Sequence, residues 1–247
     1  MRRDELRHLI RAACRVTDEQ HVIVMGSQAI LGSWKEIAAP DRVTMSNEAD
    51  IAFFNDPEEM KADTVMGVLG LDSQFHETFG VYADGITADS PILCPGWPER
   101  LIPLVVEDAD LVFVGWCLDP TDLCVSKMAA GRPKDHEFVE ALVAASLVDP
   151  DRVAVALGKT SVRQEVLAVA TGLLAAWRTR HWDVTRGQQV ERRRRDAVRD
   201  LRSQCPFDAP PQIEYPPRCG AGTRKGPCGQ LRGQCQVHRT PVVDAHV

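Results

Sequence analysis

Glu48 and Asp50 are two acids separated by one residue, at the head of an apolar run, Asp50-Ile51-Ala52-Phe53-Phe54, that reads as a β-strand. Side chains at i and i+2 of a strand share a face, so the two carboxylates project together. Anions held side by side repel unless a cation lies between them. Hard oxygen donors suit magnesium, which takes one or two carboxylates plus the phosphates of a substrate. Upstream, His21-Val22-Ile23-Val24-Met25 is a second β-branched run, and it stops at Gly26-Ser27 before a helical pattern begins at Gln28. A strand-to-helix turn of this kind offers N–H groups and a hydroxyl to an anion, and glycine lets the backbone approach a phosphate closely. Together these parts would hold a metal-bound nucleoside triphosphate. Each has a plainer reading: a Gly-Ser turn, a solvated strand edge. The order and spacing of the parts carry the chemical one.

The elements that must position these residues are legible around them. Leu6, Leu9, Ile10 and Ala13 form one stripe of a helix over 3–16. Asp56-Pro57-Glu58-Glu59 reads as a helix start, with a cap, a proline at the first position and acids at the positive end of the dipole. Further strands are expected over Thr78–Ala83, Leu101–Val106 and Leu111–Cys117. Asp119-Pro120 repeats the cap-and-proline device and opens a helix that contains Lys127. After a break at Arg132-Pro133-Lys134-Asp135, a second helix is expected over about 134–146. Residues 149–182 read as helical, and Pro206–Pro217 as a stiff linker. The pattern is that of an α/β or α+β chain.

These residues resemble the polymerase-beta-like nucleotidyltransferases, whose signature is a hydrophobic strand, Gly-Gly or Gly-Ser, a helix, then a strand bearing two acids one position apart. Here that reads Val24-Met25-Gly26-Ser27 and Glu48-Ala49-Asp50. The chain is most similar to a bacterial group of uncharacterised minimal nucleotidyltransferases related to AbiEii-type toxins. In that group a Ser or Thr stands two residues before the first acid, as Ser46 does, and a Lys and an Asp follow on a later helical segment, as Lys127 and Asp135 do. The similarity spans roughly residues 3–147. The first acid departs from the usual Asp, and Ser27 stands for a second Gly.

The resemblance implies an α+β fold with a small mixed sheet and flanking helices, followed by a helical segment. It also implies metal-assisted transfer of a nucleoside monophosphate from a triphosphate to an RNA, a protein or a small molecule, in a toxin-like enzyme with a possible antitoxin partner. Glu48 and Asp50 would hold magnesium or manganese, with Gly26, Ser27, Ser46 and Lys127 around the nucleotide. Asp135 would orient the Lys127 segment or assist the attacking hydroxyl. A third metal carboxylate is expected from a later strand; Asp84 is the candidate, with Asp89 behind it. His76 and Trp97 read as packed core rather than pocket residues.

Composition sets the outer limits. The 247 residues are 44% hydrophobic and 26% charged, which excludes a disordered chain, a collagen-like repeat and a bundle of membrane helices. The N-terminus has no signal-like apolar run, so a cytoplasmic location is expected. Residues 1–177 carry 15 Lys and Arg against 28 Asp and Glu, whereas residues 178–247 carry 14 against 7. A basic tail on an acidic body suits nucleic acid or an acidic partner, or docking on the body itself. Arg192–Arg195 stands in that tail.

Cys14, Cys94, Cys117 and Cys124 are scattered in apolar sequence and read as buried reduced thiols. Cys219, Cys228, Cys235 and His238 instead form a Cys-x8-Cys-x6-Cys-x2-His array. Three thiolates and an imidazole match a tetrahedral structural zinc site, similar to small zinc knuckle-like modules. The expected organisation is a nucleotidyltransferase-like domain over 1–147, a helical segment over 148–202, a linker over 203–217 and the zinc module over 218–239. The reading from a different class is a non-catalytic module that recruits nucleic acid or a partner through its basic, zinc-bearing tail.

Overall fold

The computed structural model describes residues 1–33, 43 and 45–213. The expected zinc ligands Cys219, Cys228, Cys235 and His238 lie outside the described residues, as does the end of the Pro-rich stretch.

Helix α1 (Arg3–Thr17) buries Leu6, Leu9, Ile10 and Ala13, the stripe its periodicity predicts. The Glu5 carboxylate accepts the Arg2 N–H at its start, satisfying one of the free donors of the first turn. Strand β1 (His21–Val24) leads through a short 3-10 turn (Ser27–Ala29) into α2 (Ile30–Ser33). Strand β2 (Glu48–Ala52) follows, then α3 (Met60–Leu69), α4 (Gln74–Phe79) and β3 (Tyr82–Gly85). The hairpin β4 (Ile102–Asp108) and β5 (Leu111–Cys117) completes the sheet. The helical half is α5 (Pro120–Ala130), α6 (Pro133–Ala144), α7 (Pro150–Gly158), α8 (Gln164–His181) and α9 (Val184–Gln204).

The five strands form one mixed sheet in the order β3-β2-β1-β5-β4. Strand β1 is antiparallel to β2 and parallel to β5, β2 is parallel to β3, and β4 is antiparallel to β5. Helix α1 packs so closely on β5 that a Cβ on Gly115 would lie 2.4 Å from Ile10 Cδ1. The mixed sheet with flanking helices is the α+β architecture expected.

Three local expectations shift for identifiable reasons. The strand expected over Thr78–Ala83 begins only at Tyr82, because Thr78 and Phe79 close α4. That helix starts on Ser73, whose side chain accepts the His76 N–H, and stops at left-handed Gly80. The helix expected from Asp56-Pro57 begins at Met60. Asp56 still caps it across an intervening turn, accepting the N–H groups of Lys61 and Ala62 at 3.1 and 2.9 Å. The stretch 149–182 divides into α7 and α8, with Asp149 capping the first through the Asp151 N–H. The Asp119 cap on α5 is as expected, accepting the Thr121 N–H at 2.8 Å.

The arginine run divides by helical geometry. Arg194 is buried and reaches Asp119 at 2.9 Å and Glu191 at 2.9 Å, fastening α9 to the start of α5. Arg192, Arg193 and Arg195 are exposed. Cys14, Cys94, Cys117 and Cys124 are free and buried, as read. Burial pushes the thiols of Cys14 and Cys117 up to about 12, so they stay protonated and behave as small apolar side chains. Among the described residues, no helix is long and apolar enough to cross a membrane.

Candidate active site

Sheet topology brings the chemistry-bearing residues to one end. Strand β1 finishes at Val24, and its antiparallel neighbour β2 begins beside it, so Met25 N–H bonds to Asp50 O at 2.9 Å. The turn after β1 therefore meets the acids that open β2. Strand β5 runs parallel to β1 and finishes at the same end, which places α5, the helix that follows it, against the Gly26–Ser27 turn. Strand β3 runs parallel to β2 in a register that pairs Glu48 with Tyr82 and Asp50 with Asp84.

That register gathers three carboxylates. Glu48, Asp50 and Asp84 each offer an oxygen within 4.8 Å of the others'. Asp89 is exposed in the loop beyond β3 and outside this cluster. Gly26 makes the cluster possible. Its φ is +37°, and a Cβ there would lie 1.5 Å from Asp50 Oδ2, so the Asp50 carboxylate occupies the space any side chain at position 26 would need. Ser46 sets the entry to the strand: its hydroxyl accepts the Glu48 N–H at 3.1 Å, and its carbonyl accepts Gln28 Nε2 at 3.2 Å.

Opposite the acids lies a cationic ledge. Lys127 Nζ donates to Ser27 Oγ at 3.1 Å and to Asp135 Oδ1 at 3.2 Å, and sits 4.4 Å from the centre of the Phe138 ring. Arg132 Nε donates to the other Asp135 oxygen at 2.5 Å. Burial alone would raise the Asp135 carboxyl, but the Arg132 hydrogen bond and the Lys127 charge outweigh it and hold it below the ordinary aspartate range. Both Asp135 oxygens are thus committed, and of the two roles expected for it the arrangement fits orientation of the basic segment. Between acids and ledge runs a cleft of about 610 Å³. Gly26, Ser27, Glu48, Asp50, Lys127 and Arg132 line its polar part; Ile86, Pro91, Ile92 and Phe138 supply apolar surface.

The electrostatics of the acid cluster suit a cation. Burial pushes the Asp50 carboxyl up to about 6, the charges of Glu48 and Asp84 add to the rise, and Lys127 and Arg132 only partly offset it. The Asp84 carboxyl is raised as well, by burial and by Glu48. Three half-buried hard oxygen donors, mutually repelling without a counter-charge, match the donor set of magnesium or manganese.

Because the folded value of Asp50 lies above the ordinary 3.8, folding favours its protonated form. The resulting stabilisation is complete below about 3.8 and is lost as pH rises through about 6. In a chelator, the melting temperature is expected to fall by several degrees over that interval. Added Mg2+ or Mn2+ at neutral pH is expected to restore it, and calorimetry checks both.

Residues 4–180 match the family DUF6036, described as a nucleotidyltransferase of unknown function. The chain belongs to that family. The match extends from α1 through most of α8, so the helical segment beyond residue 147 falls largely within it. No curated protein and no solved structure matches the chain. The family assignment supports a nucleotidyltransferase; it does not extend to the AbiEii-type group or to the zinc-bearing tail.

Within this family member, the structure brings together Gly26, Ser27, Ser46, Glu48, Asp50, Lys127 and Asp135 around the cleft and places Asp84 beside its acids. His76 and Trp97 lie off the cleft: Trp97 is buried in the core as expected, whereas His76 is only half-buried on the short helix α4, its ring edge-on to Tyr82. Sequence reasoning missed the part played by Arg132 and Lys134, which line the cleft although their segment reads as a break. It also missed Tyr82, two residues before Asp84 and therefore on the same strand face.

Proposed function

We propose that this chain is a metal-dependent nucleotidyltransferase that moves a nucleoside monophosphate from a nucleoside triphosphate to a hydroxyl-bearing acceptor. The observation that carries the reading is the three-carboxylate cluster packed against the Gly26 turn, with Lys127 facing it across the cleft.

Glu48, Asp50 and Asp84 would hold the divalent cation. When bound, the cation neutralises and orients the triphosphate and polarises the α-phosphorus. The N–H groups and hydroxyl of the Gly26–Ser27 turn receive phosphate oxygens. Lys127, anchored by Asp135 and Phe138, presents its ammonium to the same oxygens, and Arg132 extends the positive surface toward the leaving diphosphate. The acceptor oxygen forms a bond to the α-phosphorus in line with the bond to the bridging oxygen, which breaks to release pyrophosphate. The acceptor proton is released to water. Positioning and charge compensation supply most of the rate in such transfers.

The test uses the full chain with Mg2+, a mixture of acceptors and triphosphates labelled at either the α- or the γ-phosphorus. Only the α-label is expected in the acceptor, with the γ-label in pyrophosphate. Incorporation of the γ-label, or of neither, would overturn the reading.

Lys127→Met is expected to slow transfer by about a hundredfold or more. It also leaves buried Asp135 with a single cationic partner, so the melting temperature is expected to drop. Steady-state rates at saturating triphosphate, with a melting curve, check both.

A further inference from the structure

Glu48 is one methylene longer than the aspartate usual at its position in the resemblance above, and a longer side chain has more rotamers to lose before it can hold a cation. The structure shows what removes that freedom. Tyr82 lies directly beside Glu48 in the β2–β3 register, and its hydroxyl donates to Glu48 Oε2 at 3.0 Å. The phenol is itself steadied from α4. The His76 ring lies edge-on to it with centroids 5.0 Å apart, and His76 Nδ1 accepts the Asp72 N–H at 3.1 Å. Tyr82 and Asp84 alternate along β3 as Glu48 and Asp50 do along β2, so the four side chains stand on one face of two neighbouring strands.

We propose that Tyr82 is a positioning residue that fixes Glu48 in the rotamer completing the three-carboxylate cluster, so that cation affinity at this site depends on the phenol hydroxyl. A carboxylate oxygen has two lone pairs, so the phenol bond leaves Glu48 able to accept a cation. A donor fixed behind a ligand removes the entropy of orienting it at the moment of binding, and loss of such a partner characteristically weakens metal affinity by 10- to 100-fold. The proposal rests on the reading of Glu48, Asp50 and Asp84 as cation ligands.

Direct Mn2+ binding to the purified full chain, followed by electron paramagnetic resonance of the free ion, tests it without recourse to turnover. Tyr82→Phe keeps the ring and its contact with His76 and is expected to weaken Mn2+ binding about tenfold. Glu48→Asp shortens the side chain away from the hydroxyl. In that background Tyr82→Phe is therefore expected to cost less than about twofold, which a general loosening of β3 would not produce. A wild type that binds Mn2+ and a Tyr82→Phe variant that binds it equally well would overturn the positioning role alone. So would an equal loss in both backgrounds. A wild type that binds no Mn2+ would overturn the cation reading of the cluster together with the role of Tyr82.

Discussion

Asp50→Asn is expected to abolish nucleotide transfer, by at least about a thousandfold, while raising the melting temperature of the metal-free protein. The two effects have one cause. Asp50 is the acid in closest contact with the turn, and its carboxyl is raised to about 6 by burial and by Glu48 and Asp84. At neutral pH it therefore carries a charge that the fold tolerates poorly and that a cation would compensate. Asparagine keeps the shape and removes the charge, so the repulsion among the acids falls and the metal-free fold gains stability. The donor set for the cation falls from three carboxylates to two. Losing one preorganised electrostatic partner in phosphoryl transfer costs about 10³ to 10⁵ in rate. Incorporation of α-labelled triphosphate and a pH series of melting curves in chelator measure the two sides. The variant's curve is expected to lose most of the fall in stability between about 3.8 and about 6 that the wild type shows, the smaller part that Asp84 contributes remaining. An active variant, or one less stable than wild type in chelator, would contradict the assignment of Asp50.

Gly26→Ala is expected to be as damaging to activity and, in contrast, to lower stability. Its φ of +37° strains any residue with a Cβ, and the added methyl would lie 1.5 Å from Asp50 Oδ2. Left-handed strain costs about 1–3 kcal/mol, and overpacking a filled site costs about 1–3 kcal/mol more. Relief would come from pushing the Asp50 carboxylate out of the cluster, which disables the site even where the chain still folds. Adding Asp50→Gly to Gly26→Ala vacates the contested space. The double variant is expected to recover much of the lost stability and none of the activity. Denaturant titrations of the two variants beside wild type measure this; a Gly26→Ala protein with wild-type stability would show that Asp50 does not occupy the space beside the turn.

How much of this was legible from residue order depended on the range of the physics involved. The pairing of Glu48 with Asp50 on one face follows from the two-residue period of any strand, whatever lies beside it, and the Gly26-Ser27 turn follows from a β-branched run meeting a glycine. Asp84 could be named only as a candidate, because its place depends on the parallel register between β2 and β3, set by packing of elements far apart in sequence. Arg132 looked like part of a helix break, and it is one; it is also held over the cleft by a bond to Asp135 on the next helical turn, a contact that periodicity does not reveal. Ile86, Pro91 and Ile92 lie in an irregular segment with no pattern to read. The displaced start of β3 comes from two short-range signals, the Ser73 cap and left-handed Gly80, which override the strand propensity of Thr78 and Phe79.

The central claim is that Glu48, Asp50 and Asp84 hold one divalent cation against a triphosphate seated on the Gly26–Ser27 turn. A crystal grown with Mn2+ and a non-hydrolysable triphosphate, and measured for anomalous scattering, tests it most directly. The predicted result is a single manganese peak at coordinating distance from oxygens of all three carboxylates, with phosphate oxygens between it and Lys127. Manganese bound elsewhere, or a triphosphate seated away from Gly26 and Ser27, would contradict it.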